Sequence, residues 1–178
     1  MAKLVGLALV TVLCMVGITP AAAEVETHCV VDVVDQHADG EFVLSAPRCY
    51  PSFAEAAAEA SAGAVQLGAD ASGQLLFDYE GAATAGVLAS FTLGIHFDGF
   101  NGSGSSISVV GDSCTGGWWN TGATWANRIS SSWNGCYRLK HHDGPNKTGA
   151  SESTVGVGTT DNLTVLNNKA ESVSYWSS

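Results

Sequence analysis

Basic residues are scarce in this chain. Seven Lys and Arg stand against 17 Asp and Glu in 178 residues, a formal net charge of −10. Nucleic acid needs Lys and Arg for its phosphates, and an anionic lipid surface needs a basic cluster, so neither is an expected partner. Long apolar runs are missing too, apart from Leu4–Ile18. That run follows Lys3 and precedes Ala21-Ala22-Ala23, the order of a secretory signal peptide, so residues 1–23 are expected to be removed and Glu24 to begin the mature chain. The run is short for a span, and no membrane insertion is expected after cleavage. Loss of Lys3 takes the charge from −10 to −11. Residues 24–90 hold eleven acids and only Arg48 as a base, whereas 91–178 hold six acids and five bases. The negative charge is thus an N-terminal property, suited to solubility outside the cell.

Familiar catalytic signatures are absent as well. There is no Cys-x-x-Cys pair for zinc, no glycine-rich phosphate loop and no zinc-binding helix motif. Ser130-Ser131-Ser132 lacks a glycine elbow. Glu55 and Glu59, one helical turn apart, read as a solvated helix face rather than a carboxylate pair. His141-His142-Asp143 is the most metal-like cluster, but strand alternation sends the two imidazoles to opposite faces, which favours a structural role. A non-enzymatic protein is expected.

Four cysteines do remain after export: Cys29, Cys49, Cys114 and Cys136. An even count in an oxidising compartment reads as two disulfides, and of the three possible pairings the local one, Cys29–Cys49 with Cys114–Cys136, brackets two short loop-rich segments. Each bridge is worth about 3 kcal/mol. Ser52-x-x-Glu55 is a capping box opening a helix over 53–61, with Phe53, Ala57 and Ala60 as its buried stripe and Gly63 as its stop. Residues 64–90, rich in Ala, Gly and Ser, read as a linker. From Phe91 onward the pattern changes to short apolar alternations (Leu93, Ile95, Phe97; Ile107, Val109; Val155, Val157; Val173, Tyr175) punctuated by turn residues. That pattern predicts an all-β sandwich over 91–178, preceded by a small N-terminal segment with one short helix.

Within this half a unit of roughly 40 residues occurs twice. Asp98-Gly99-Phe100-Asn101-Gly102-Ser103-Gly104 returns 45 positions later as Asp143-Gly144-Pro145-Asn146-Lys147-Thr148-Gly149. By this register His141 matches His96 and His142 matches Phe97. Each copy has a later echo: Ala126-Asn127-Arg128-Ile129-Ser130-Ser131, then Asn167-Asn168-Lys169-Ala170-Glu171-Ser172. The duplicated unit resembles a βγ-crystallin domain, a pair of Greek-key motifs (here about 91–133 and 136–176). Together with Cys49-Tyr50-x-x-Phe53-Ala54-Glu55-Ala56, it resembles secreted actinobacterial proteins grouped with peptidase inhibitor family I36. The resemblance implies paired calcium sites. One would use Ser130, the carbonyl of Arg128, and Asn167 or Asn168; the other would use Glu171, the carbonyl of Lys169, and Asn127. Only Glu171 brings a formal negative charge, so calcium binding is expected to be weak, millimolar or absent, and no other cofactor is expected.

Thr115–Trp125 is the candidate binding segment, because the first copy carries there a four-residue insertion rich in Trp and Gly. Trp118, Trp119, Asn120 and Thr121 form its centre, either as a rigid inhibitory loop or as a platform for sugar rings. The expectation is a monomeric, secreted binding protein. Its partner would be an extracellular protein, most concretely a metalloprotease that it inhibits; the second possibility is an extracellular glycan- or calcium-binding module.

Overall fold

The structure is a computed structural model that describes residues 25–78, 86–89 and 92–178. The expected leader at 1–23 lies outside the described residues, as does part of the 64–90 stretch. Among the described residues, eleven strands form two sheets. The larger contains β1 (His28–Gln36), β2 (Phe42–Leu44), β3 (Arg48–Tyr50), β4 (Thr92–Phe97), β5 (Ser106–Val110), β7 (Ser131–Asn134) and β10 (Thr160–Asn162). The smaller has the order β6 (Trp118–Asn120), β11 (Ser172–Trp176), β8 (Arg138–His142), β9 (Ser151–Val155). The chain is therefore mostly β, as the alternations predict.

The duplication is visible as an exchange of strands. The first copy places β4, β5 and β7 in the larger sheet and lends β6 to the smaller; the second places β8, β9 and β11 in the smaller sheet and lends β10 to the larger. Neither sheet is complete without the other copy. The repeated hairpins also match bond for bond. The Gly99 amide donates to the Ser103 carbonyl at 3.0 Å and the Gly144 amide to the Thr148 carbonyl at 3.2 Å. Asn101 and Asn146 both sit at φ 56°, and Gly104 and Gly149 at 76° and 77°. A Cβ at either glycine would run into the carboxylate of the Asp that opens its hairpin, Asp98 or Asp143. The recurring Asp and Gly are thus one device: a left-handed glycine whose missing side chain leaves room for the Asp carboxylate packed against it.

Between the sheets lies one core that includes Leu93, Val109, Trp119, Ile129, Leu139, Val173 and Tyr175. Gly94 faces it, and the missing side chain leaves the space that Leu139 fills. A second core lies on the outer face of the larger sheet. Helix α1 (Phe53–Ala60) is capped by the Ser52 hydroxyl, which accepts the Glu55 amide at 3.3 Å. Past Ala60 the chain leaves the helix through Ala62 and Gly63, both in the left-handed region. The helix lays Phe53 and Ala57 on Ile95, Phe97 and Trp133, and Val65, Leu76 and Leu88 complete the layer. The N-terminal segment is therefore built into the sandwich. Its strand β1 also pairs in parallel with β5, Cys29 opposite Ile107 and Val31 opposite Val109. Parallel partners need a long crossover, here the stretch that carries β2, β3, α1 and β4. Arg48 ties this extension together, bonding Asp32 of β1 at 2.6 Å and Glu59 of α1 at 2.9 Å.

Both disulfides are the local pairs. Cys29–Cys49 crosses from β1 to β3, and Cys114–Cys136 anchors the loop before β6 to the turn before β8. Such bridges fit an oxidising, extracellular compartment. No helix among the described residues is long and apolar enough to cross a membrane.

Candidate functional site

Where the two copies meet, the structure brings together most of the residues named as cation donors. Asn127 and Asn168, equivalent in the repeat, both adopt left-handed backbone, φ 60° and 53°. Each reaches across to the other copy. The Asn127 side-chain amide donates to the Glu171 carboxylate at 3.2 Å, and the Ser130 hydroxyl meets the Asn168 carbonyl oxygen at 3.0 Å. Backbone bonds follow the same pseudo-symmetry: the Asn127 amide to the Ala170 carbonyl at 2.9 Å, the Asn168 amide to the Ile129 carbonyl at 3.0 Å. The side-chain oxygen of Asn167 is buried and has no hydrogen-bond partner. Arg128 turns away to Asp98 at 2.6 Å and stacks over Trp125 at 5.1 Å. Lys169 is exposed. A hard cation wants six to eight oxygens, preferably charged. Around Ser130 the side-chain donors are neutral, and Glu171 is the one carboxylate of the set. The residues fit a weak cation site and no more.

The Trp-rich segment is placed differently from its expected role. Trp118 and Trp119 are 3% and 5% exposed, so neither ring offers a free face to a sugar. Trp119 belongs to the inter-sheet core, and its indole N–H donates to the Tyr175 hydroxyl at 2.9 Å. Trp118 lies on the opposite side of β6, covered by the Lys147 ammonium at 4.9 Å. Asn120 is a clasp: its amide group donates to Asn146 at 2.8 Å and its carbonyl oxygen accepts the Asn146 backbone amide at 2.8 Å. Asn162 does the same for Asn101 in the other sheet, at 2.6 and 2.7 Å. Thr121 is buried, and its amide and hydroxyl both donate to the Glu171 carbonyl. The insertion therefore completes the smaller sheet. What stays in solvent is the stretch just upstream: Asp112, Ser113 and Thr115 are exposed around Cys114. That loop braces itself, with Ser113 and Thr115 hydroxyls 3.0 Å apart and the Gly116 amide on the Cys114 carbonyl at 2.9 Å.

Sequence reasoning passed over a polar chain through the middle of the core. His96 and His141, repeat partners, are both fully buried and meet with ring centroids 5.3 Å apart. His96 Nε2 lies 2.8 Å from the Tyr175 hydroxyl, and its Nδ1 lies 2.8 Å from Ser132 Oγ. Ser132 Oγ continues to His141 Nε2 at 3.0 Å. Tyr175 already accepts from Trp119, so its own proton goes to His96 Nε2, and the His96 proton is assigned to Nδ1. The chain ends at His141 Nδ1, which has no partner. Burial pushes the His141 pKa down to about 4 and holds His96 well below its ordinary value, with His141 as a second cause for the latter. A serine between two imidazoles invites a nucleophilic reading, but Ser132 is fully buried in the sandwich. Its chemistry here is to let two neutral histidines share a dry core. The recurrence of His at one register was the available signal. His142, as strand alternation requires, faces the other way, with Nε2 3.2 Å from Ser174 Oγ.

Comparison with protein-family models, curated proteins and solved structures finds no match.

Proposed function

We propose that this is a secreted, non-enzymatic protein on a βγ-crystallin-like scaffold that inhibits an extracellular metalloprotease through the loop Asp112–Gly116. The observation that supports this reading is the contrast within that loop. Asp112, Ser113 and Thr115 are exposed, while Cys114 between them is bonded to the buried Cys136. A loop pre-ordered in this way loses little entropy when it enters a cleft. A nick within it leaves both ends held, one by β5 and one by β6. The test is activity of a thermolysin-like protease with micromolar protein present. Loss of activity supports the reading, and full activity sinks it.

A second reading, a calcium-linked extracellular module, is favoured by the cross-copy pairs Asn127–Glu171 and Ser130–Asn168 and by the unpartnered Asn167 oxygen. It predicts that millimolar calcium raises the melting temperature. An unchanged melting curve would count against it.

A further inference from the structure

The two sheets treat their outer faces differently, and the duplication shows how. On the larger sheet the outward positions Ile95, Phe97 and Trp133 are apolar and lie under α1. Their repeat equivalents on the smaller sheet are Lys140, His142 and Ser174. The described residues place no helix over them. Leu139 and His141 point into the core, so Arg138, Lys140 and His142 stand together on the outer side of β8. Their neighbours follow from the register. On β11, Trp176 lies beside Arg138 and Ser174 beside Lys140; on β9, Ser153 lies beside Lys140 and Ser151 beside His142. Lys147 adds a third cation above Trp118 at the β6 edge. The chain after residue 24 has only six Lys and Arg, and three of them converge here. Among the described residues none of these three is in a salt bridge, whereas Arg48 and Arg128 are.

We propose that this face binds an acidic polysaccharide, a sugar chain bearing carboxylate or sulfate groups. Arg138 and Lys140, two residues apart on one strand, have their Cα atoms about 7 Å apart and point to the same side. Ser151 and Ser153 add exposed hydroxyls, and Trp176, 39% exposed, offers part of an indole on which a sugar ring can rest. The composition argues against other occupants. A protein interface needs an apolar core, and among the described residues the exposed large apolar side chains on this face are Trp176 and Val155. Recruitment to an anionic membrane takes clusters of about four to eight cations. The acids of the N-terminal segment oppose long polyanions at low salt, but at physiological salt their field fades over about 8 Å, so the local cations decide. This surface adjoins the Asp112–Gly116 loop where Trp176 lies against Gly116, but its test does not depend on protease inhibition.

The experiment is affinity electrophoresis of the purified protein in gels containing polygalacturonate, heparin or neutral dextran. Retardation is expected with at least one acidic polymer and not with dextran. Three cations predict affinity falling roughly twenty- to fortyfold between 50 and 200 mM salt. R138E/K140E should abolish retardation and R138K/K140R should preserve it, each with an unchanged near-ultraviolet dichroism spectrum. If the reversal variant does not fold, R138Q/K140Q replaces it with the same expectation. The proposal is overturned by mobility unaffected in both acidic gels, by retention that survives loss of Arg138 and Lys140, or by equal retention in dextran. It is equally overturned if single-stranded DNA or phosphatidylserine vesicles bind while neither glycan does, or if the protein only self-associates.

Discussion

Acid should loosen this fold before its carboxylates protonate, because of the histidine pair in the core. In the folded state His141 titrates at about 4, depressed mainly by burial, with Glu152 pulling it up and His142 pushing it further down. In the unfolded chain it titrates near 6.5. Below that value the unfolded chain takes up a proton that the folded chain refuses. The contribution is therefore fully present above pH 6.5 and is lost as pH falls towards 4. The loss is about 1.4 kcal/mol per pH unit within that window, so His141 alone removes about 2 kcal/mol between pH 7 and pH 5. His96, depressed by burial and by His141, acts in the same direction. Urea denaturation at half-unit steps from pH 7.5 to 5 measures the slope. The range stops there because carboxylates such as Glu152 begin to contribute below it. H141Q removes one titrating group, so its slope should be shallower than wild type, whatever its absolute stability. A flat midpoint from pH 7 to 5, or an H141Q slope equal to wild type, would refute the assignment of neutral, buried imidazoles.

Other consequences can be checked separately. Glu152 holds the loop Thr164–Leu166 by accepting three backbone amides and the Thr164 hydroxyl at 2.9–3.1 Å, so E152Q should cost about 2 kcal/mol in urea unfolding. Burial disfavours the Glu152 carboxylate, but these donors hold its pKa below the ordinary value; its contribution is present above pH 4.5 and lost as pH falls through the depressed value. G104A and G149A should each destabilise by about 1–3 kcal/mol, and by similar amounts, because each places a Cβ at positive φ against an Asp carboxylate. Replacing Cys29 and Cys49 by Ser frees a 20-residue separation and should cost about 3 kcal/mol.

Much of the fold could be read from local signals. The capping box opens the helix at Phe53, the alternations at Leu93–Phe97 and Val173–Tyr175 become core strands, and the repeated Asp and Gly close matched hairpins. Val155 closes β9, an edge strand with one neighbour, and Val157 lies beyond it in the turn to β10, so both stay exposed. Strands β6, β7 and β10 went unforeseen. Ser-Ser-Trp-Asn and Thr-Asp-Asn carry weak apolar patterns, and long-range pairing makes them strands, β7 with β4 and β10, and β10 with β7. The parallel union of β1 with β5 is a long-range choice with no local signature. For the site, the resemblance implied that Glu171 would meet Asn127 and that Ser130 would meet Asn167 or Asn168 across the copies; the structure brings Asn127 to Glu171 and Asn168 to Ser130. The binding role of Trp118 and Trp119 was misplaced, because insertion and aromatic content do not distinguish a loop from an added strand. The cationic face stayed hidden because net charge averages over both ends of the molecule, whereas strand register gathers Arg138 and Lys140 with Lys147 nearby.

The central functional claim is a direct, rigid association with an extracellular metalloprotease. Native mass spectrometry of the purified protein mixed with a thermolysin-like protease tests it most plainly. A one-to-one complex, with the chain intact or nicked only between Asp112 and Gly116 and still held together, is the predicted result. Two separate species with both proteins at micromolar concentration, or a chain digested elsewhere, would contradict it.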